Sequence, residues 1–111
     1  MENTIQVGGF DYPIRYDFTA LKQVNKLIGG GAIKHMGQID ELIELDHIPD
    51  IARIGIVRGL AHSKDSRQAP TAEAIEGELN QRFVLMNEVI EIFGKDISGG
   101  AEAEQPATEG N

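Results

Sequence analysis

The chain has 111 residues, with 18 acidic and 10 basic side chains, a net charge of −8 and no cysteine. That length predicts one domain with a single thin core, and the missing cysteines exclude disulfide and thiolate chemistry. The acidic balance argues against nucleic acid, whose phosphates need clustered lysine and arginine, and no apolar run approaches the roughly 18 residues of a membrane span.

Residues 4 to 16 read TIQVGGFDYPIRY. Phe10, Tyr12, Ile14 and Tyr16 alternate with polar residues and Pro13, the period of a strand with one buried face. Gly8-Gly9 predicts a two-residue type I′ turn, because both loop positions need positive φ. The turn sets the register: Val7 faces Phe10, Ile5 faces Tyr12 and Asn3 faces Ile14. Pro13 then sits opposite Thr4 at a non-hydrogen-bonded pair, with its missing donor on the outer side.

Asp17 or Thr19 opens a first helix, whose stripe is Leu21, Val24, Leu27 and Ile28. Gly29-Gly30-Gly31 ends it as a C-cap with a linker. A short amphipathic helix is predicted over Gln38 to Leu45, with Ile39, Leu42 and Ile43 on one face and Asp40, Glu41 and Glu44 on the other. Ile48 to Ala61, IPDIARIGIVRGLA, is apolar or glycine on most sides of a helix wheel. Such a helix must be surrounded, so it is placed at the centre of the domain. Pro49 suits its first turn and Asp46 is expected to cap it.

HSKDSRQAP reads as a polar linker, followed by Thr71 as an N-cap with Glu73 in the first turn. Ile75, Leu79, Phe83, Met86, Ile90 and Phe93 then recur at helical spacing. They fit one long helix or two separated near Asn80, with Gly94 as the stop. The expected fold is mainly α with an N-terminal hairpin: four to five short helices around a central apolar one. Residues 1–97 form the domain (3–16 hairpin, 19–94 helical). Residues 98–111, lacking any large apolar side chain, are expected to be a disordered acidic tail.

No catalytic constellation stands out. His35, His47 and His62 show no metal-ligand spacing, and SKDSR beside His62 lacks the elements of a nucleophilic triad. Gly29–Gly31 with Lys34 departs from the phosphate-loop pattern, since a helix precedes it and no GxxxxGK is present. No enzyme activity, metal or cofactor is expected. The charges are segregated: Asp40, Glu41, Glu44, Asp46 and Asp50 form one acidic group and Glu73, Glu76, Glu78, Glu88 and Glu91 another, with Arg53, Arg58, Lys64 and Arg67 between them. On the central helix Asp50 and Arg53 are spaced to pair. Asp50, Arg53 and Arg58 are the candidates for salt-sensitive self-association into a homo-oligomer.

IQVGGFDYPIRYDFTALKQVNKLIGG resembles the opening of the small tail assembly chaperones of long-tailed bacteriophages: strand, glycine turn, Tyr-containing strand, then Phe-x-Ala-Leu entering a helix, here Phe18, Ala20 and Leu21. IARIGIVRGLAHSKDSRQAPTAEAIEGEL is similar to the family's apolar helix ending in Gly-Leu (Gly59, Leu60), polar loop and Thr-capped acidic helix (Thr71). The resemblance spans roughly residues 4 to 93 in motifs that are each short. It departs at the triple glycine with Ile33, Lys34 and His35, and at Pro13. It implies a non-enzymatic chaperone of the bacterial host cytoplasm that coats the helical tape measure protein until tail tube subunits assemble around it. Leu42, Ile43, Met86 and Phe93 are the expected client-binding residues. The alternatives are a helix-binding adaptor with no assembly role and, further off, a small phosphate-binding enzyme.

Overall fold

The computed structural model describes residues 3–30 and 43–108, with side chains as far as Ile97. Strands β1 (Asn3–Val7) and β2 (Phe10–Ile14) pair antiparallel in the expected register, Asn3 with Ile14, Ile5 with Tyr12 and Val7 with Phe10. Gly8 and Gly9 turn the chain at φ 61° and 85°, which glycine adopts without a Cβ clash. Ile5, Val7 and Ile14 are buried on the shared face, whereas Phe10 at the turn is exposed.

The outer side of β2 is covered as well as blunted. Arg67 Nη1 donates to the Asp11 carbonyl at 3.0 Å, and the Arg15 N–H donates to the Gly55 carbonyl at 3.0 Å. Pro13, between them, has no donor to offer. On β1, Arg82 Nη2 donates to the Gln6 carbonyl at 2.9 Å, and the Gly8 N–H, in the turn, donates to Glu78 Oε1 at 3.0 Å. The HSKDSRQAP segment is thus a clamp rather than a plain linker: Arg67 also pairs with Asp65 at 2.8 Å and lies 4.9 Å from the Tyr12 ring centroid.

Four helices follow among the described residues: α1 (Phe18–Leu27), α2 (Ile48–His62), α3 (Ala72–Gln81) and α4 (Val84–Thr108). Asp17 caps α1, accepting from the Ala20 N–H at 2.9 Å, and Thr71 caps α3, accepting from Ala74 at 3.1 Å. The end of α1 is a Schellman cap, with Gly30 N–H to the Asn25 carbonyl at 2.7 Å and Gly29 N–H to Lys26 at 3.2 Å. Helix α2 is central, packing against β2, α1, α3 and α4. Its entry differs from expectation. A 3-10 turn (Leu45–His47) leads in, Asp46 lies inside that turn, and the His47 ring accepts the Glu44 N–H at 3.1 Å, so the chain is turned before α2 begins.

Gly55 and Gly59 bring α2 against the β2 backbone. A Cβ on Gly55 would stand 2.5 Å from Tyr16 Cζ and 2.7 Å from Ile14 Cγ1. One on Gly59 would meet the Pro13 carbonyl group and come within 2.8 Å of the Ile14 nitrogen. Tyr16 then locks three elements. Its hydroxyl donates to the Ile51 carbonyl at 2.7 Å, its N–H donates to Asp96 at 2.9 Å, and its ring meets Phe93 edge-on at 5.0 Å. Burial, and then the Asp96 charge, push the phenol well above its ordinary pKa. Around it Val24, Ile51, Ile56, Ile75, Leu85 and Val89 complete one continuous core.

Helix α2 ends in a second Schellman cap: Asp65 N–H donates to Leu60 at 2.9 Å and Lys64 N–H to Ala61 at 3.2 Å. Lys64 holds the left-handed position at φ 57°, where a Cβ is strained. Lys64→Gly is therefore expected to stabilise the protein by about 1 kcal/mol, read from the urea midpoint.

The apolar run from Ile75 to Phe93 forms two helices, and the break falls at Arg82 (φ −139°, ψ 90°) rather than Asn80. Gly94 does not stop α4: its φ is not positive, so no left-handed cap forms there. The backbone remains helical to Thr108, through the stretch expected to lack order. Ala101 to Glu104 are good helix formers, whereas Gly99, Gly100 and Pro106 are not, and propensity gives no account of the extension across them.

Candidate functional site

The break at Arg82 makes the site. Arg82 Nε donates to Glu78 Oε2 at 2.7 Å, and its other nitrogens reach the Gln6 carbonyl and, at 4.0 Å, Glu88. The Arg82 hydrogen bond, then the Gly8 N–H, hold the Glu78 carboxyl below its usual pKa. The elbow between α3 and α4 is thereby pinned to the hairpin. One extended residue shifts the helical phase, so α4 buries Leu85, Val89 and Phe93 at spacings of four and turns Phe83 outward.

Phe83 faces a cleft between that elbow and the entry to α2, about 280 Å³ in volume. Ile48 and Pro49 form its buried floor, half-buried Leu79 and Met86 its walls, and Leu45 and Phe83 its rim, at 74% and 77% exposed. Asp46, Glu76 and Asn80 supply the polar part of the lining. Val84, also exposed, adjoins Phe83 in sequence. Large side chains left this far out are costly to hydrate, and grouped around a concave floor they make a surface suited to an apolar partner.

Of the expected client-binding residues, Met86 lines the cleft. Ile43 is half-buried against the core. Leu42 lies outside the described residues. Phe93 needs correction: it is 1% exposed and edge-on to Tyr16, so it belongs to the core and offers no surface. Leu45 and Phe83 were missed as site residues because an unbroken stripe puts Phe83 on the core face. The alternative phase, Leu85–Val89–Phe93, was present in the sequence as the signal for a break.

The expected self-association set is divided. Asp50 and Arg53 are exposed on α2 beside a shallow depression shared with Lys26, Leu27 and Ile54 from α1 and α2. They do not pair with each other; the ion pairs among the described residues lie elsewhere. Arg58 is engaged internally, binding Asp17 at 3.0 Å and so tying the start of α1 to α2. Burial raises the Asp17 pKa, but the Arg58 hydrogen bond and the Ala20 N–H outweigh it and hold the carboxyl below its ordinary value.

The sign of that shift sets a pH dependence. With the folded pKa below the unfolded one, the Asp17 contribution is complete above the ordinary aspartate value and is lost as pH falls through the folded pKa. Asp17→Asn keeps a capping oxygen and removes the charge. The variant's urea midpoint should fall less steeply than the parent's below about pH 4.

Among the described residues no cluster of three or more His, Cys, Asp or Glu is placed to hold a metal ion, and no helix is long and apolar enough to cross a membrane. The Gly29 and Gly30 amides are occupied within the α1 cap, while Gly31, Lys34 and His35 lie outside the described residues. His62 Nε2 lies 3.3 Å from Arg15 Nη1, and Asp65 is bound by Arg67. Comparison with models of protein families, with curated proteins and with solved structures finds no match.

Proposed function

We propose that the protein is a non-enzymatic helix-binding chaperone whose client is a tape measure protein of a long-tailed phage. The observation that carries this reading is the cleft between α2 and the α3–α4 elbow, with Leu45 and Phe83 standing out over an apolar floor. An amphipathic helix can lay its apolar face into such a groove, and the pinned elbow keeps the groove formed before the client arrives. The strand, glycine-turn and Phe18-x-Ala20-Leu21 resemblance supplies the client's identity. Tail tube subunits would displace the chaperone as they assemble, and copies would associate through the exposed Asp50 and Arg53 face, more weakly at high salt.

The test is co-expression with a tape measure protein, the very long helical product expected to be encoded beside this gene, followed by a pull-down. The parent chain is expected to retain the long protein, and Leu45→Ser with Phe83→Ser to lose at least about tenfold of it, since buried anchors dominate interfaces. Equal retention by the parent and the double variant would remove the groove from the assignment. No retention by either would remove the client.

A further inference from the structure

We infer that the groove selects one kind of guest, an amphipathic helix whose apolar stripe is flanked by lysine or arginine. This deepens the reading above and rests on it. The ionisable side chains lining the cleft among the described residues are Asp46 and Glu76, both exposed and both acidic. They belong to different walls, Asp46 to the turn before α2 and Glu76 to α3. A helix lying between them therefore meets a carboxylate on either flank.

The sign continues beyond the lining. Glu44, two residues before Asp46, and Glu73, three before Glu76, are also exposed and acidic, and α3 carries no basic residue. Asp50 and Arg53, by contrast, lie toward the α1 side of α2. Arg82, just past α3, is engaged by Glu78 and the Gln6 carbonyl. Neither Asp46 nor Glu76 takes part in an ion pair among the described residues. Apolar contacts with Leu45, Leu79, Phe83 and Met86 supply affinity, and the carboxylates choose among helices that carry the same stripe. Each rim pair is weak alone, but attraction at two or more positions replaces repulsion at the same positions when the flanking sign is reversed.

The experiment uses the full chain and two synthetic amphipathic peptides with the same leucines at i, i+4 and i+7, one flanked by lysine and one by glutamate. Binding is read by fluorescence anisotropy at low salt and at about 0.5 M salt, where the Debye length falls below about 8 Å. The lysine peptide is expected to bind about tenfold more tightly at low salt, with the difference closing at high salt. Asp46→Asn with Glu76→Gln should shrink that difference and leave the high-salt affinity unchanged. Phe83→Ser should weaken both peptides. If the two peptides bind equally and both are lost on Phe83→Ser, charge selection is wrong while the groove stands. If neither binds, the groove reading fails with it. Loss of self-association in sedimentation on Phe83→Ser, with no peptide bound, would overturn the inference in favour of a second copy in the groove.

Discussion

Gly59→Ala is expected to lower stability by about 3 kcal/mol, at the upper end of the usual cost of overpacking, and to drop the melting temperature by roughly 12 °C or more. The magnitude follows from what the added methyl would strike. A side chain can change rotamer, but at Gly59 the obstacle is the Pro13–Ile14 backbone, fixed by the hairpin ladder on one side and by α2 on the other. Relief requires α2 to move off β2, which stretches the Arg15 to Gly55 hydrogen bond and disturbs the Tyr16 contact with Ile51. Gly77→Ala is the control. Gly77 lies inside α3 with open space where its Cβ would go, so the same substitution should add about 0.5 to 1 kcal/mol through helix propensity. Chemical denaturation of the two variants beside the parent decides the matter. A neutral Gly59→Ala would mean that α2 does not sit this close to the strand.

Phe93→Ala is expected to cost about 3 to 5 kcal/mol, and Phe83→Ala to stay within about 0.5 kcal/mol of the parent. The same residue type occurs ten positions apart, in one apolar run, with opposite consequences. Phe93 is enclosed by the core and meets Tyr16 edge-on, so truncation leaves a cavity and also loosens the tyrosine that joins β2, α2 and α4. Phe83 touches solvent over most of its surface, so its removal is felt in partner binding rather than in folding. Urea midpoints for both variants, combined with the pull-down, separate the two roles. A large loss of stability in Phe83→Ala would return that side chain to the core and remove the groove's rim.

Much of the architecture is legible in the sequence where short-range rules act without competition. Gly8-Gly9 between alternating apolar residues specifies the hairpin and its register, because only one phase puts Ile5, Val7 and Ile14 on one face. Asp17 and Thr71 open helices as short polar caps do, and the apolar surround of Ile48 to Ala61 marks the central helix. What stays hidden depends on distant partners. Arg82 is a good helix former, and nothing local requires it to be extended; its guanidinium is held by a strand carbonyl 76 positions away in sequence. The glycines of α2 read simply as apolar wheel positions until β2 is placed against them. Arg58, exposed by its polar type alone, turns inward only because Asp17 ends the hairpin segment nearby. The groove combines these hidden features: Met86 stands out from its stripe, Phe83 emerges only when the Leu85–Val89–Phe93 phase is read as a break, and Leu45 only once the turn before α2 is placed.

The hairpin's two flanks have a consequence for how this molecule meets others. With Arg67 and Gly55 engaged on one border and Arg82 and Glu78 on the other, the sheet presents little free backbone to template a further strand. Recruitment by strand addition and growth into cross-β fibrils are both disfavoured at that edge. Association is left to side chains, which can release a guest as readily as they take one up.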